Sequence, residues 1–476
     1  MGKRGGSPVI VAASVAVVVG MALAVLWQWA ESRSTIDADP TIAAPADPRI
    51  ALATPVLSTR RAPGVLARRL NLDEFAAELD DVAGDVDATS CLSVSVNGQT
   101  VLAHHASVPV VPASTMKLIV AAVALDVLGP GFRFTTSVNG VIGAEGVVDG
   151  DLTLLGGGDP LLSTEWWPTS QRQTEPPIHV TRLEDLADQI VSAGVTRVAG
   201  RIVGDGSRYD DEFFAPSWGD DIRVIEAGPY DALLVNDGRT SATSDEVTDD
   251  PALGAAEVLV DLLRDRGVRV VGGAASATMP FSAEIASITS QPLADIVDEM
   301  LQTSDDNTAE MLVKEIGLEV SGAGSRTSGI EAIMAQLLSW GVPIDGVLLV
   351  DGSGLSREDR VPCQTIVGVL ARGEPDDALG AALPVAAVSG TLADQFVGSP
   401  VQGRLQAKTG TLTDVKSLAG YLPVEGGGTI EFALVQNTAG IDQGGYLAVW
   451  DELADALVTY PEAVREDDLS PLGQSS

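Results

Sequence analysis

A serine and a lysine three residues apart could supply a nucleophile and its base. Ser114 and Lys117 form an S-x-x-K motif at the start of a helix-compatible segment over residues 114–128. Residues i and i+3 share one face of a helix, so the hydroxyl and the amine can come within hydrogen-bonding distance. A hydroxyl needs a base before it attacks a carbonyl, and a lysine desolvated in an apolar helix loses its proton more readily than one in water. The alternative is an N-cap serine followed by a surface lysine, which suits poorly a lysine placed in an apolar stretch.

A second motif could bind a carboxylate and stabilise an oxyanion. Lys408, Thr409, Gly410 and Thr411 follow strand-like residues 405–407. On a strand edge, the lysine offers a cation, the threonine a hydroxyl and the backbone N–H groups for a tetrahedral oxyanion, while the glycine lets a substrate backbone approach. An edge-strand lysine that discourages aggregation is the alternative interpretation.

A third motif lies at a predicted junction between two helical segments. Ser304 is followed by Asp305, Asp306 and Asn307, so a hydroxyl and a polar side chain two or three residues later can face the same groove. Such groups can pass a proton to a leaving amine and hold a substrate amide. The same residues also suit a helix N-cap, and both interpretations can hold together.

The elements around the motifs predict a sheet with helices packed on its faces. Residues 91–96 and 100–105 are β-rich runs that flank Asn97-Gly98, a strong hairpin signal. The segment 114–128 is apolar all round, which predicts a buried helix. Further predicted elements are a helical stretch over 293–336, strands over 417–422 and 429–436, and an amphipathic helix near 446–459.

A change of character between residues 132 and 280 predicts an inserted domain. This region has many glycine-punctuated β runs and two helical patches, over 182–192 and 253–266. The predicted organisation is a cytoplasmic stub and transmembrane anchor over 1–30, a tether over 31–62, a catalytic domain formed by 63–131 and 281–461, the insertion over 132–280, and a flexible tail over 462–476.

The N-terminus predicts a single membrane span. Residues 8–26 carry no charge and are long enough to cross the hydrocarbon layer as a helix of about 20 residues. Lys3 and Arg4 precede this run, which places the N-terminus in the cytoplasm and the rest of the chain outside. Trp27 and Trp29 favour a retained anchor; a cleaved signal peptide is the alternative. We therefore expect a cell-membrane protein with an extracytoplasmic body.

Composition excludes several other functions. The chain has 66 acidic and 29 basic residues, a net charge of −37, which would repel the phosphates of nucleic acid. Its three histidines, His104, His105 and His179, show no metal-ligand spacing and no Ser-His-Asp set, so we expect neither a metal nor another cofactor. Cys91 and Cys363 would lie in an oxidising compartment, where one disulfide and two buried thiols are both compatible with the sequence.

The order S-x-x-K, S-x-N-like, K-T-G is that of penicillin-recognising serine enzymes. The sequence resembles more specifically the class C low-molecular-mass penicillin-binding proteins, the D-alanyl-D-alanine carboxypeptidase/endopeptidase family, from about Thr54 to Tyr460. Besides the three motifs, the resemblance rests on four strings, Gly156-Gly157-Gly158-Asp159-Pro160 and the strings at 230–236, 351–357 and 389–392.

The resemblance implies a fold and a reaction. The fold is an α/β (α+β) serine β-lactamase/transpeptidase-like domain, an antiparallel sheet flanked by helices, interrupted by a large β-rich insertion. The substrate would be a peptidoglycan stem peptide ending in D-Ala-D-Ala, and β-lactam antibiotics would inhibit the enzyme. Oligomeric state, the stem peptide's third residue and the balance between carboxypeptidase and endopeptidase activity stay open.

The resemblance also implies residue roles. Ser114 would be acylated, Lys117 and Ser304 would transfer protons, and Lys408 with Thr409 would bind the terminal carboxylate. The backbone N–H groups of Ser114 and Thr411 would form the oxyanion hole. The family's pocket for the stem-peptide side chain would correspond to Asp159, Arg357 and Leu412.

One residue departs from the family pattern. The third position of the second motif is Asn in the family and Asp306 here, with Asn307 next to it. A carboxylate near Lys117 favours the ammonium form and opposes its use as a base, so we hypothesise weakened but real catalysis. Two other functions stay open, a β-lactamase with the same acylation apparatus and a non-catalytic peptidoglycan-binding protein.

Overall fold

The computed structural model describes residues 64–170, 176–244, 246–424 and 428–461, together with Met21 and Gln28. Apart from Met21, the predicted membrane span over 8–26 lies outside the described residues, as do the tether over 31–62 and the tail over 462–476. Within the described part of the chain, no helix combines the length and the apolar character needed to cross a bilayer.

Nine α-helices are present in the described residues. In chain order they are α1 Gly64–Gly84, α2 Met116–Val127, α3 Leu183–Ser192, α4 Pro251–Asp265, α5 Leu293–Thr303, α6 Asp306–Ser321, α7 Arg326–Ser339, α8 Cys363–Leu370 and α9 Gln443–Leu457.

The same residues contain fifteen strands. They are β1 Cys91–Val96, β2 Gln99–His104, β3 Thr135–Asn139, β4 Val147–Val148, β5 Leu152–Leu155, β6 Leu162–Ser163, β7 Thr181–Arg182, β8 Arg197–Val198, β9 Ile202–Asp205, β10 Arg269–Val270, β11 Ala274–Ser276, β12 Glu284–Thr289, β13 Gln406–Leu412, β14 Val415–Pro423 and β15 Thr429–Gln436.

A five-stranded antiparallel sheet with the order β13-β14-β15-β1-β2 lies between two layers of helices. All six residues of β1 are buried, as expected for a strand covered on both faces. Leu92 and Val94 pack with Phe75 of α1 and Trp450 of α9, whereas Cys91 packs on the opposite face against α2 and α8. The predicted hairpin over 91–105 is confirmed, with β2 ending at His104.

A second sheet, ordered β11-β9-β5-β3-β12, is built from residues between 135 and 289. The strands β5, β9 and β11 run parallel, whereas β3 pairs antiparallel with both β5 and β12. Because Thr135 pairs with Thr289, the chain leaves and re-enters the rest of the structure at one point. The predicted boundary at residue 280 lies before β12, a strand of this sheet.

One disulfide joins Cys91 to Cys363, with the two Cα atoms 5.9 Å apart. Since Cys91 begins β1 and Cys363 begins α8, the bond fixes the first strand of the large sheet to a helix on its face. Of the two alternatives compatible with the sequence, the structure has the bridge.

Two predicted helices are interrupted. The helical stretch over 293–336 is three helices, because Ser304 adopts a left-handed conformation with φ of 64° after α5 and Gly322 does so after α6. The segment over 114–128 begins as a 3₁₀ turn, Ala113–Thr115, before α2. Helices α1 and α8 were not among the predicted elements.

Candidate active site

The predicted nucleophile and base are in contact. The Nζ atom of Lys117 lies 3.0 Å from the Oγ atom of Ser114. Ala113, immediately before Ser114, has φ of 49°, a left-handed conformation that costs a residue with a Cβ about 1 kcal/mol. This strained residue directs the chain into the 3₁₀ turn that carries Ser114, and the turn continues into the helix that carries Lys117.

Lys117 is fully buried and has three oxygen neighbours. Besides Ser114, these are Oδ1 of Asp306 at 2.6 Å and the carbonyl oxygen of Ser353 at 2.8 Å. An ammonium group can donate to all three. A neutral amine can donate to Asp306 and Ser353 and accept the hydroxyl proton of Ser114 with its lone pair. The geometry therefore suits both protonation states.

Asp306, rather than Asn307, occupies the third position of the second motif. Asn307 is turned away and donates from Nδ2 to Oδ1 of Asp237 at 3.0 Å. Burial raises the pKa of Asp306, and the neighbouring Lys117 opposes that rise. The ion pair between Asp306 and Lys117 spans 2.6 Å, a distance that suits a carboxylate accepting a hydrogen bond from the amine.

Ser304 links the second motif to the third. Its left-handed backbone ends α5, and Lys408 of β13 donates from Nζ to its Oγ atom at 2.9 Å. Lys408 is fully buried, and burial, followed by the charge of Lys117, lowers its pKa well below the usual lysine value. A substrate carboxylate would supply the opposite charge that favours its ammonium form.

Strand β13 forms one edge of the large sheet and carries the third motif. Thr409 contacts Thr391, with the two Oγ1 atoms 2.8 Å apart. A Cβ atom on Gly410 would collide with Oγ of Ser417 and lie 3.0 Å from the backbone nitrogen of Ser114. Glycine is therefore needed here so that the turn that carries Ser114 can pack against β13. This reason differs from the predicted one, which was close approach of a substrate backbone.

The three motifs meet at one cavity of about 550 Å³. The described residues that line it include Ser114, Ser304, Asp305, Asp306, Asn307, Asp237, Leu161, Trp167, His179, Glu299, Leu355, Thr391, Gln395, Thr409, Thr411, Tyr446 and Trp450. In the part of the chain covered by the structure, no three histidine, cysteine, aspartate or glutamate side chains are arranged to hold a metal ion.

The predicted side-chain pocket residues do not line this cavity. Asp159 is buried and accepts a hydrogen bond from the backbone N–H of Leu161 at 3.0 Å. Arg357 donates to the carbonyl oxygen of Thr413 at 3.1 Å. Leu412 packs against the apolar cluster that contains Trp218.

Several buried carboxyl groups hold their protons more tightly than usual. Burial raises the pKa of Asp159 to about 6 and that of Asp231 to about 7. It raises the pKa of Asp305 to about 8, with the charge of Asp237 as the next cause. For Glu310 the pKa rises to about 8, again through burial first.

Sequence reasoning missed two groups that support Lys117. Ser353 belongs to the family-like string over 351–357, and Glu310 is not among the predicted site residues. Glu310 accepts hydrogen bonds from the backbone N–H groups of Gly352 and Ser353. Its spacing of four residues from Asp306 was the available signal, because both side chains then lie on one face of α6.

Comparison with known families identifies the chain. The model of the D-Ala-D-Ala carboxypeptidase 3 (S13) family matches residues 69–249 and 245–455. The chain belongs to this family. It is a serine-type D-Ala-D-Ala carboxypeptidase, as the three motifs and the resemblance had predicted.

Individual carboxypeptidases resemble this chain along most of their length. A D-alanyl-D-alanine carboxypeptidase from Actinomadura sp. (strain R39) is 30% identical over 484 residues, with 83% of this chain and 88% of that protein covered. Carboxypeptidase DacB of Mycolicibacterium smegmatis is 32% identical over 352 residues, covering 70% and 73% respectively.

A solved structure supports the transpeptidase-like α/β fold with several sheets. Penicillin binding protein 4 of Haemophilus influenzae superposes with a TM-score of 0.67 at 21% identity, covering 80% of this chain and 99% of that one. At this identity, the likeness concerns the fold.

Proposed function

We propose that this S13 carboxypeptidase cleaves the D-Ala-D-Ala end of peptidoglycan stem peptides through an acyl-enzyme on Ser114. The observation that carries the proposal is the contact between Ser114 Oγ and Lys117 Nζ at 3.0 Å. Ser114 lines the same cavity as Ser304, which accepts a hydrogen bond from Lys408. Endopeptidase cleavage of cross-linked stems uses the same acyl-enzyme and differs only in the leaving amine.

In the first step, the amine of Lys117 takes the proton of the Ser114 hydroxyl while Oγ attacks the carbonyl carbon of the penultimate D-Ala. The backbone N–H groups of Ser114 and Thr411 would hold the oxyanion. As the carbon–nitrogen bond breaks, the proton passes to the leaving amine through Ser304. Water then releases the acyl group by the reverse sequence of proton transfers.

Lys408 and Thr409 would bind the carboxylate that follows the scissile bond. Thr409 lines the cavity, and Lys408 beside it on β13 contacts Ser304, which also lines it, so Lys408 can hold a charge once an anion lies there. β-Lactams carry a carboxylate in a comparable place, and a structure of the Haemophilus influenzae protein contains a β-lactam. The assignment of Asp159, Arg357 and Leu412 to the stem-peptide side chain stays a prediction.

Mass spectrometry after exposure to benzylpenicillin tests the reaction. The expected product is one covalent adduct at Ser114, absent from Ser114→Ala and present in the matched variant Ser339→Ala, which removes an exposed hydroxyl on α7. No adduct on the wild-type chain would favour a non-catalytic peptidoglycan-binding protein. An adduct that disappears within seconds would favour a β-lactamase.

The location of the enzyme is a separate part of the proposal. The uncharged run over 8–26 supports a retained anchor with residues 63–461 outside the membrane, with 132–280 as the insertion within the catalytic domain. Sequencing of the mature N-terminus from membranes distinguishes the two alternatives. An intact N-terminus in the membrane fraction supports the anchor, whereas a new N-terminus after residue 26 in the soluble fraction contradicts it.

A further inference from the structure

Glu310 is a fully buried carboxyl group one turn along α6 from Asp306. A single oxygen, Oε1, accepts the backbone N–H of Gly352 at 2.9 Å and that of Ser353 at 2.7 Å. Its other oxygen, Oε2, is buried without a hydrogen-bond partner among the described residues. A buried carboxyl group is costly, and an apolar side chain here would leave two backbone donors unsatisfied.

The loop that Glu310 holds contacts Lys117 and lies against Ala113, the residue before Ser114. The carbonyl oxygen of Ser353 accepts a hydrogen bond from Lys117 at 2.8 Å. Gly354 has φ of 83°, and a Cβ atom there would collide with the carbonyl oxygen of Ala113, the residue before Ser114. Asp351 fixes the far side of the loop by accepting the N–H of Gly354 at 2.8 Å.

We infer that Glu310 is a positioning residue for acylation, holding the Ser353 carbonyl against Lys117 so that the amine's lone pair faces Ser114. The inference rests on the proposed role of Lys117 as the base. A neutral amine has two N–H groups and one lone pair. With the N–H groups on Asp306 and Ser353, only the lone pair is left for the hydroxyl proton of Ser114.

The rigidity of α6 makes this arrangement consistent. Asp306 contacts Nζ of Lys117 directly, and Glu310 holds the loop whose Ser353 carbonyl contacts the same atom. Two of the three contacts of Nζ are therefore positioned by side chains on one face of α6. If the Ser353 carbonyl moved away, an N–H of Lys117 could turn to the Ser114 oxygen. The lone pair would then point elsewhere, and the amine could not take the proton.

Variants at Glu310 test whether its role is to accept the two backbone hydrogen bonds of the loop. In Glu310→Ala both N–H groups lose their acceptor, whereas in Glu310→Gln an amide oxygen can still accept both. Glu310→Asp keeps a carboxyl group but is too short to reach both. The matched control is Glu315→Gln, which alters another buried carboxyl group of α6 that binds Arg208 away from the cavity.

The measurement is acylation of the full chain by a fluorescent penicillin, resolved into the non-covalent dissociation constant and the acylation rate constant. For Glu310→Ala we expect the rate constant to fall on the order of 100-fold, as for a reacting group displaced by about 1 Å, with the dissociation constant unchanged. Glu310→Gln should retain most of the rate. Glu315→Gln should lower the thermal midpoint without lowering the rate.

Four results would overturn the inference. These are a wild-type rate constant in Glu310→Ala, an equal loss in Glu310→Gln, a parallel loss in Glu315→Gln, or a rise in the dissociation constant that accounts for the loss. If Glu310→Ala does not fold, Glu310→Asp must be slower than Glu310→Gln, and equal rates overturn the inference. A wild-type chain that forms no adduct refutes the proposed function as well, which distinguishes the two failures.

Discussion

Replacing Asp306 by asparagine should accelerate acylation of Ser114 by about tenfold. Lys117 donates to the Asp306 carboxylate across 2.6 Å in a buried site, which stabilises the ammonium form that cannot act as a base. A hydrogen bond to a charged group is worth about 1.5–3 kcal/mol and a neutral one about 0.5–1.5 kcal/mol. In the variant the ammonium form still donates to an amide oxygen but loses the opposite charge, and a loss of about 1.4 kcal/mol raises the ratio of neutral to charged amine about tenfold.

The assay is the second-order rate constant for acylation by a fluorescent penicillin between about pH 5 and pH 9. Because burial raises the pKa of Asp306, the wild-type side chain takes up a proton more readily than an exposed aspartate as the pH falls. Protonated Asp306 is neutral, as asparagine is. The ratio of variant to wild-type rate should therefore decline toward one at the acidic end.

A control removes a carboxylate from the same helix without touching the site. Glu319 is exposed near the end of α6, and Glu319→Gln should keep the wild-type rate at every pH. Equal rates for Asp306→Asn and the wild type across the range would refute the reasoning, and so would a slower variant. Either result would mean that the carboxylate is harmless or is itself needed for proton transfer.

Three further predictions follow from the fold and the site. The double variant Cys91→Ala with Cys363→Ala should lose about 2–5 kcal/mol of unfolding free energy in a urea titration, and an unchanged midpoint would contradict a stabilising bridge. Gly410→Ala should lose penicillin labelling because its methyl group collides with Ser417; full labelling would show that the edge strand can move. The thermal midpoint should fall as the pH rises from about 5 to about 8, because four carboxyl groups with raised pKa values keep their protons to a higher pH in the folded chain than in the unfolded one. Lys408 acts in the opposite direction. Asp231→Asn should flatten the decline, and a midpoint that rises over this range would be incompatible with these shifts.

The local motifs were predictable because each depends on a short-range rule. The spacing of Ser114 and Lys117 requires only a helical turn, and the hairpin around Asn97 requires only a dipeptide. Their meeting with Ser304 and Lys408 was not derivable from spacing, since long-range packing decides it; the family resemblance supplied that expectation.

Other features depended on contacts between distant segments. The pairing of Cys91 with Cys363 and the covering of β1 by α1 and α9 involve residues hundreds of positions apart. The left-handed conformation of Ser304 was not predictable, because the position is not a glycine. The role of Glu310 was not predictable because the loop that it holds, over 351–356, is distant in sequence.

The order of strands in the large sheet has a consequence for synthesis of the chain. Its first two strands, β1 and β2, are made early, yet the neighbour of β1 is β15, and the edge strand β13 carries the third motif. About 300 residues separate β2 from β13, a stretch that takes on the order of 15–60 s at about 5–20 residues per second. Until the last hairpin leaves the ribosome, the third motif is absent from the site, so the nascent chain cannot attack its substrate. During the same interval, the edge of β1 that later pairs with β15 is open, and the chain needs protection from aggregation.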